Sequence, residues 1–351
     1  MNEAERKVLF ADLDRERAEH PRIQPENMLK FLFQGILGPG HLLASRAETV
    51  RRIRAEIGQD RPECREDAFI SPVGRYLRLS LPAACAAGLD ADMIAALMIG
   101  SERPSDSREE VIRACNLYAD RLPGEPGEAL RKQALRLRDP SFLPSHSEMY
   151  RTAYAPSYRL ISRAFEPLLP VTAYLAGRVR EGGIIAIDGP CASGKSTLAD
   201  QLAAILGAKV VHTDDYVVPH SRKTPERLAI PGGNCDSERL IQEVLTPFAE
   251  GREGCVRPYD CHADALLPGN RLDPGGILIL EGSYSLLPAV RQLTRASVFV
   301  SATLETRLMR LAVRESPESL ERFKTRWIPL EEAYFAAYGL PDADCFVYET
   351  K

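Results

Sequence analysis

The apolar positions divide this chain into two halves with different periods. From the N-terminus to about residue 178 they recur mostly at helical spacing. Met1 to about Glu19 reads as a charged amphipathic helix, and Glu26 to Gln34 as a helix ending at Gly35. Glu48 to Ile57 places Val50, Ile53 and Ile57 on one face, with arginines opposite. Ala91 to Ile99 is apolar nearly all round, the pattern of a buried helix. Ser107-Arg108-Glu109-Glu110 is a capping box that opens a helix towards Tyr118. A turn at Pro123 to Gly127 precedes another helix, Glu128 to Leu137. Only Tyr76 to Leu81 alternates like a short strand. Two stretches of this half invite a functional reading. Gln34 to His41 is a glycine-proline turn with His41 opening a helix, which reads first as a simple corner. His146 to Tyr150, continuing through Tyr154, Tyr158 and Arg159, reads as an aromatic stripe along one helix face, packed against the other domain.

Pro167 to Pro170 breaks the helical pattern, and a short helix, Thr172 to Arg180, follows. The boundary is expected near residues 179–182, giving domains 1–178 and 179–351. Beyond it the apolar residues come in short runs. Ile184 to Ile187, Lys209 to His212, Gly276 to Leu280 and Ser297 to Val300 read as strands, and Cys345 to Val347 as an edge strand. Unbroken apolar runs mean strands covered on both faces, as in a parallel sheet. Helical patterns lie between them, at Leu198 to Ile205, Glu238 to Phe248, Glu305 to Arg314 and Leu320 to Tyr338. With the glycine-lysine loop Gly189–Ser196 between the first of these strands and the first of these helices, the expected fold is α/β: a three-layer α/β/α parallel sheet of the P-loop NTPase type, preceded by a mainly α-helical domain.

Chemistry concentrates at the ends of these strands. Gly189-Pro190-Cys191-Ala192-Ser193-Gly194-Lys195-Ser196 fits G-x-x-x-x-G-K-[ST], with a strand before it and a helix after it. Glycines let backbone N–H groups face phosphate oxygens, and the helix start adds its positive end. Gly189, Ala192, Ser193, Gly194, Lys195, Ser196 and Thr197 are therefore the candidate nucleotide-binding residues. Lys195 is placed for the β- and γ-phosphates of ATP and Ser196 for Mg²⁺. Asp214 and Asp215 follow the next strand, where one carboxylate can take a hydroxyl proton during phosphoryl transfer. Glu281 ends the Gly276–Leu280 run, where P-loop enzymes keep an acid for Mg²⁺. Arg310 and Arg314 lie four apart on one helix face and can close over the transferring phosphates as a lid.

Composition narrows the class further. The chain has 351 residues, 44% hydrophobic and 27% charged, as in a soluble globular protein of two domains. A formal net charge of −4 gives no case for nucleic acid or an anionic membrane. No run is long and apolar enough to span a bilayer, and the polar N-terminus is unlike a signal peptide. The 8 cysteines form no C-x-x-C pair, which fits reduced thiols, no zinc site and a cytoplasmic location. Cys191 reads as the filler of a variable loop position, with an oxidation-sensitive thiol as the other reading. Oligomeric state is open, including a homo-oligomer.

From Gly183 onward, roughly half the chain resembles the uridine kinase and phosphoribulokinase family of P-loop kinases. Besides the loop, Thr213-Asp214-Asp215-Tyr216 is similar to the family block whose first Asp is the catalytic base. The resemblance implies that role for Asp214 and puts Tyr216 beside the acceptor. Asn234-Cys235-Asp236 resembles N-F-D, which implies that Asp236 holds ribose hydroxyls. Pro258-Tyr259-Asp260 resembles a P-Y-D block, with Tyr259 lining a base pocket. Leu280-Glu281-Gly282 matches the family's E-G, with Glu281 near Mg²⁺, and Arg310 and Arg314 resemble lid arginines. The segment after Arg314 lacks the longer glycine-containing lid of uridine kinases, and His262 is nearer the tyrosine than the family histidine. The implied activity is ATP-dependent phosphorylation of a hydroxyl on a small molecule, with a nucleoside leading. Pantothenate, glycerate, nicotinamide riboside and sugar phosphates are other acceptors, and a nucleotide-regulated binding protein is the reading from another class.

Overall fold

The computed structural model describes residues 1–40, 43, 45–57, 69–102 and 107–350. His41 lies outside them. The chain forms two compact units, Met1–Ala173 and Tyr174–Lys351.

In the first unit, helices surround a three-stranded antiparallel sheet, in the order β1 (Ile70–Val73), β2 (Tyr76–Ser80), β3 (Tyr158–Ser162). Gly74 at φ 63° makes the tight turn between β1 and β2. The core is built where helices Glu3–Glu19, Pro25–Leu37, Arg108–Ala119 and Glu125–Leu135 meet, around Leu9, Leu13, Phe31, Leu32 and Tyr118. The sheet departs from the mainly helical reading in one respect. Tyr158 and Arg159 do not continue the helix of Tyr150 and Tyr154. That helix, Glu148–Tyr154, stops at Ala155, whose backbone is left-handed at φ 41°. Pro156 follows, and the chain resumes as β3. The aromatic stripe packs within its own unit: Tyr150 is buried, stacked on His146 with ring centroids 4.6 Å apart.

The second unit is built on five parallel strands in the order β12-β11-β4-β10-β5: β4 (Gly183–Asp188), β5 (Lys209–His212), β10 (Ile277–Glu281), β11 (Thr294–Ser301) and β12 (Cys345–Glu349). Two short antiparallel pairs stand apart, β6 (Gly254–Val256) with β9 (Asn270–Leu272), and β7 (Tyr259–Asp260) with β8 (Ala265–Leu266). Successive residues Ile184, Ile185, Ala186 and Ile187 are all at 1% exposure or less, so β4 is covered on both faces by flanking helices. The register Glu281↔Ile187 and Glu281↔His212 brings the carboxyl ends of β4, β10 and β5 to one level. This is the α/β/α P-loop architecture, and that edge is where such sheets bind ligands. Two helices contain π-turns, Ile241–Leu245 and Phe323–Trp327. No helix among the described residues is long and apolar enough to cross a membrane.

Candidate active site

A cavity of about 1030 Å³ opens above the carboxyl ends of β4, β5 and β10. Its floor is the phosphate loop. Gly189 adopts φ 144°, and a Cβ there would lie 2.2 Å from the Val300 carbonyl oxygen on β11. Only glycine permits that approach. Ala192 at φ 58° and Gly194 at φ 101° curl the loop around its own N–H groups. The helix Lys195–Leu206 then starts at the loop's end, aiming its positive pole at the cavity.

Ala192, Gly194, Lys195, Ser196 and Thr197 line the cavity. Gly189 and Ser193 shape the loop from behind: Gly189 N–H donates to Asp188 Oδ1 at 2.6 Å, and Ser193 is fully buried. Lys195 Nζ donates to the Pro190 carbonyl at 3.0 Å. Ser196 Oγ donates to Glu281 Oε1 at 3.1 Å. The same carboxylate meets His212 Nδ1 at 2.5 Å, and this hydrogen bond raises the His212 pKa. Glu281 Oε2 is buried without a hydrogen-bond partner.

Asp214 lines the cavity and Asp215 does not. Water reaches the Asp214 side chain through the opening, yet the surrounding protein raises its pKa. Lys195 pulls the other way, and the Glu281 and Glu331 carboxylates add to the rise. No residue donates a hydrogen bond to Asp214 among those described. Arg310 and Arg314 both reach the cavity. Arg310 Nη1 donates to the Ala192 carbonyl at 3.0 Å and to Thr350 Oγ1 at 3.1 Å, whereas Arg314 pairs with Glu315 at 2.8 Å, lies 5.9 Å from the centre of the Phe323 ring and is mostly exposed.

Three expected acceptor contacts stand behind the wall. Tyr216 is 0% exposed, packed among Val211, Leu240 and Leu280, with Arg239 over its ring at 4.2 Å. Its apolar face is core packing, so it offers the cavity nothing. Asp236 is 2% exposed, and Arg222 Nη1 donates to its Oδ2 at 3.0 Å. Tyr259 is also buried; its hydroxyl accepts from His220 N–H at 3.2 Å and bonds Asp264. His220 itself faces the cavity, as do Asn234 and His262.

Several site residues carry weak sequence signals or none. Asp188 ends β4 and is fully buried. Its Oδ1 accepts from Gly189 N–H, and its Oδ2 from Leu286 N–H and Tyr334 O–H, each at 2.8 Å. Burial raises its pKa to about 6 against these three donors. An acid directly before the loop glycine was its only signature. Glu331 sits in the C-terminal helix and accepts from Cys191 N–H at 2.8 Å and Ser283 Oγ at 2.6 Å. Arg307 donates to the Cys191 carbonyl at 2.9 Å and pairs with Glu331 at 3.6 Å. Cys191 is thus a clamped loop residue. Burial and Glu331 push its thiol up to about 11, away from the reactive thiolate of an oxidation sensor. Arg322, Arg326 and Trp327 line the cavity from the second π-turn and its preceding helix, and Lys223 from a loop. With Lys195, Arg310 and Arg314 they make six cations facing Asp214, Glu281 and Glu331. Such a cavity suits a polyanion.

The chain matches no protein-family model and no curated protein sequence. Solved structures align with about half of it. A possible uridine kinase from Bacillus stearothermophilus aligns at 17% identity and a TM-score of 0.42, over 52% of this chain and 98% of that one. A provisionally assigned fructose transport system kinase from Silicibacter sp. TM1040 aligns at 20% identity and 0.43, over 50% and 97%. Deoxyadenosine kinase from M. mycoides aligns at 14% identity and 0.23, over 47% and 90%. Function rests on the geometry of the site itself.

Proposed function

We propose that the C-terminal unit transfers the γ-phosphoryl group of ATP to a hydroxyl of a small molecule, a nucleoside being the leading acceptor. The observation that carries this reading is the meeting of Asp214 with Lys195 and Ser196 in one cavity. A nucleotide switch needs the loop; it does not need a carboxylate without a partner facing it.

In this reading the loop amides and Lys195 hold the ATP phosphates. The Asp214 carboxylate orients the acceptor hydroxyl and takes its proton as the new O–P bond forms and the bond to the β-phosphate oxygen breaks. Arg310 and Arg314 meet the charge spreading over the transferring group. Asp236, whose Oδ1 is buried without a hydrogen-bond partner, and Tyr259 are the proposed acceptor contacts. The nucleoside reading requires Arg222 to release Asp236.

Mg²⁺ bound with ATP would neutralise charge on the β- and γ-oxygens. Ser196 Oγ and Glu281 would hold it, and the buried Oε2 of Glu281 that lacks a partner fits that role. Among the described residues no three His, Cys, Asp or Glu side chains cluster as an all-protein metal cage. That agrees with an ion held largely by phosphate and water.

The test is a panel of nucleosides, sugar phosphates, pantothenate, glycerate and nicotinamide riboside, read by the mass of the product. One acceptor gaining a phosphoryl group supports the proposal. ADP release that ignores every acceptor would replace it with the switch reading. Asp214→Asn is expected to lower kcat by about 10²–10⁴-fold while ATP still binds; wild-type turnover in that variant would remove Asp214 from the role of base.

A further inference from the structure

The N-terminal unit has a cavity of its own, about 790 Å³, lined only by residues of that unit. Lys30, Arg52, Arg151 and Arg159 stand on its wall, together with Glu56, and Arg52 is paired with Glu48 at 2.8 Å. Arg159 is matched by Glu56 at 2.5 Å. Lys30 and Arg151 have no carboxylate partner among the described residues; the Lys30 ammonium lies 5.9 Å from the centre of the Tyr158 ring. Arg78, buried beneath, is already paired with Glu16 at 2.7 Å and offers them no counter-charge. The crowding is felt: burial, then Arg78, Arg151 and Arg159, push the Lys30 pKa down to about 7.

The wall around these two cations is fully engaged. Asn27 Oδ1 accepts from Gln24 N–H and Ser147 Oγ, so its amide nitrogen donates to His146 Nδ1 at 3.2 Å. His146 therefore carries its proton on Nε2 and donates to the Tyr158 hydroxyl at 2.7 Å, which donates on to Gln34 at 3.1 Å. Burial keeps His146 neutral, with a pKa of about 2. The polar groups of the wall satisfy one another, and its two unmatched charges are both positive. A cavity whose unmatched charge is all of one sign suits a ligand of the opposite sign.

We propose that this cavity binds a small organic dianion, a phosphate monoester or a dicarboxylate, between Lys30 and Arg151. Two unmatched cations set the ligand's charge, and the cavity volume suits a metabolite-sized molecule. The Arg151 guanidinium supplies a fork for paired oxygens and Lys30 a point charge. The proposal is independent of the kinase reading.

The test is acetylation of the intact chain with acetic anhydride at neutral pH, mapped peptide by peptide by mass spectrometry. Inorganic phosphate and succinate are added separately, with chloride at matched ionic strength as the control. Lys30 acetylation is expected to slow several-fold with one of the two dianions, while the exposed Lys7 and Lys132 are unaffected. The dianion that protects identifies the ligand class, and the Lys195 peptide reports phosphate-loop occupancy separately. The Arg151 side chain is exposed and makes no hydrogen bond among the described residues, and alanine keeps the backbone bonds to Ser147 and Ala155, so Arg151→Ala should fold; it is expected to abolish the protection. Equal protection by chloride, no protection by either dianion, or full protection in Arg151→Ala would each overturn the proposal.

Discussion

Glu331 accepts a hydrogen bond from the backbone N–H of Cys191 at 2.8 Å, across a separation of 140 residues. The phosphate loop is thereby held from outside by the C-terminal helix. Arg307 grips the carbonyl of the same residue, so both polar groups of the Cys191 backbone are occupied by buried side chains.

Removing that carboxylate exposes its cost. Glu331→Ala leaves Arg307, at 5% exposure, without its charge partner. Breaking such a buried pair destabilises by about 3–5 kcal/mol. Glu331→Gln retains hydrogen-bonding atoms and should lose less. Urea unfolding of the two variants checks this. Equal midpoints close to wild type would mean that the clamp contributes little.

Gly189 and Gly207 form a contrasting pair. Both have positive φ, but a Cβ at Gly189 meets the Val300 carbonyl at 2.2 Å, whereas nothing lies within 4 Å of one at Gly207. Gly207→Ala is expected to cost only the left-handed backbone term, about 1–2 kcal/mol, with nucleotide binding intact. Gly189→Ala should cost more and weaken ATP binding, because the loop must move off β11. Calorimetric titration of ATP into both variants decides it.

Trp327, the chain's single tryptophan, lines the cavity with Arg326 4.9 Å from its ring centre. Its fluorescence is expected to change when ATP enters, and Lys195→Ala should shift the titration to higher ATP concentration. An unchanged spectrum at saturating ATP would place the nucleotide away from the π-turn.

Asp214 gives a pH dependence whose sign follows from its surroundings. The surrounding protein, with the Glu281 and Glu331 carboxylates, raises its pKa above the ordinary 3.8, so its protonated form persists to higher pH than that of a free carboxyl. As a base it works ionised. Activity is therefore expected to fall as pH drops through this raised value, and kcat/KM against pH should show an acid limb above the usual carboxylate range. A limb at or below 3.8 would contradict the assignment.

The sheet and its loop were legible because they are local. Apolar runs of strand length, a glycine-lysine motif between strand and helix, and acids at strand ends each occupy a few consecutive residues. The same locality misled at Tyr158, where four-residue spacing suggested one helix face. A left-handed Ala155 and Pro156 turn the chain into β3, and spacing alone does not register a backbone reversal. Tyr216 shows another limit: a motif position says which residue stands near a site, and packing decides which way its ring faces.

The sequence by itself determined the phosphate loop, the strands around it and the acids at their ends, since these follow from short-range pattern and backbone sterics. Only the tertiary structure decided what touches them. Glu331 and Arg307 reach Cys191, Tyr334 reaches Asp188, and Lys30 comes to share a cavity with Arg151, all across long stretches of chain. Such contacts arise from the way helices pack, and charge left unmatched in a cavity is a property of the whole surrounding wall rather than of any segment.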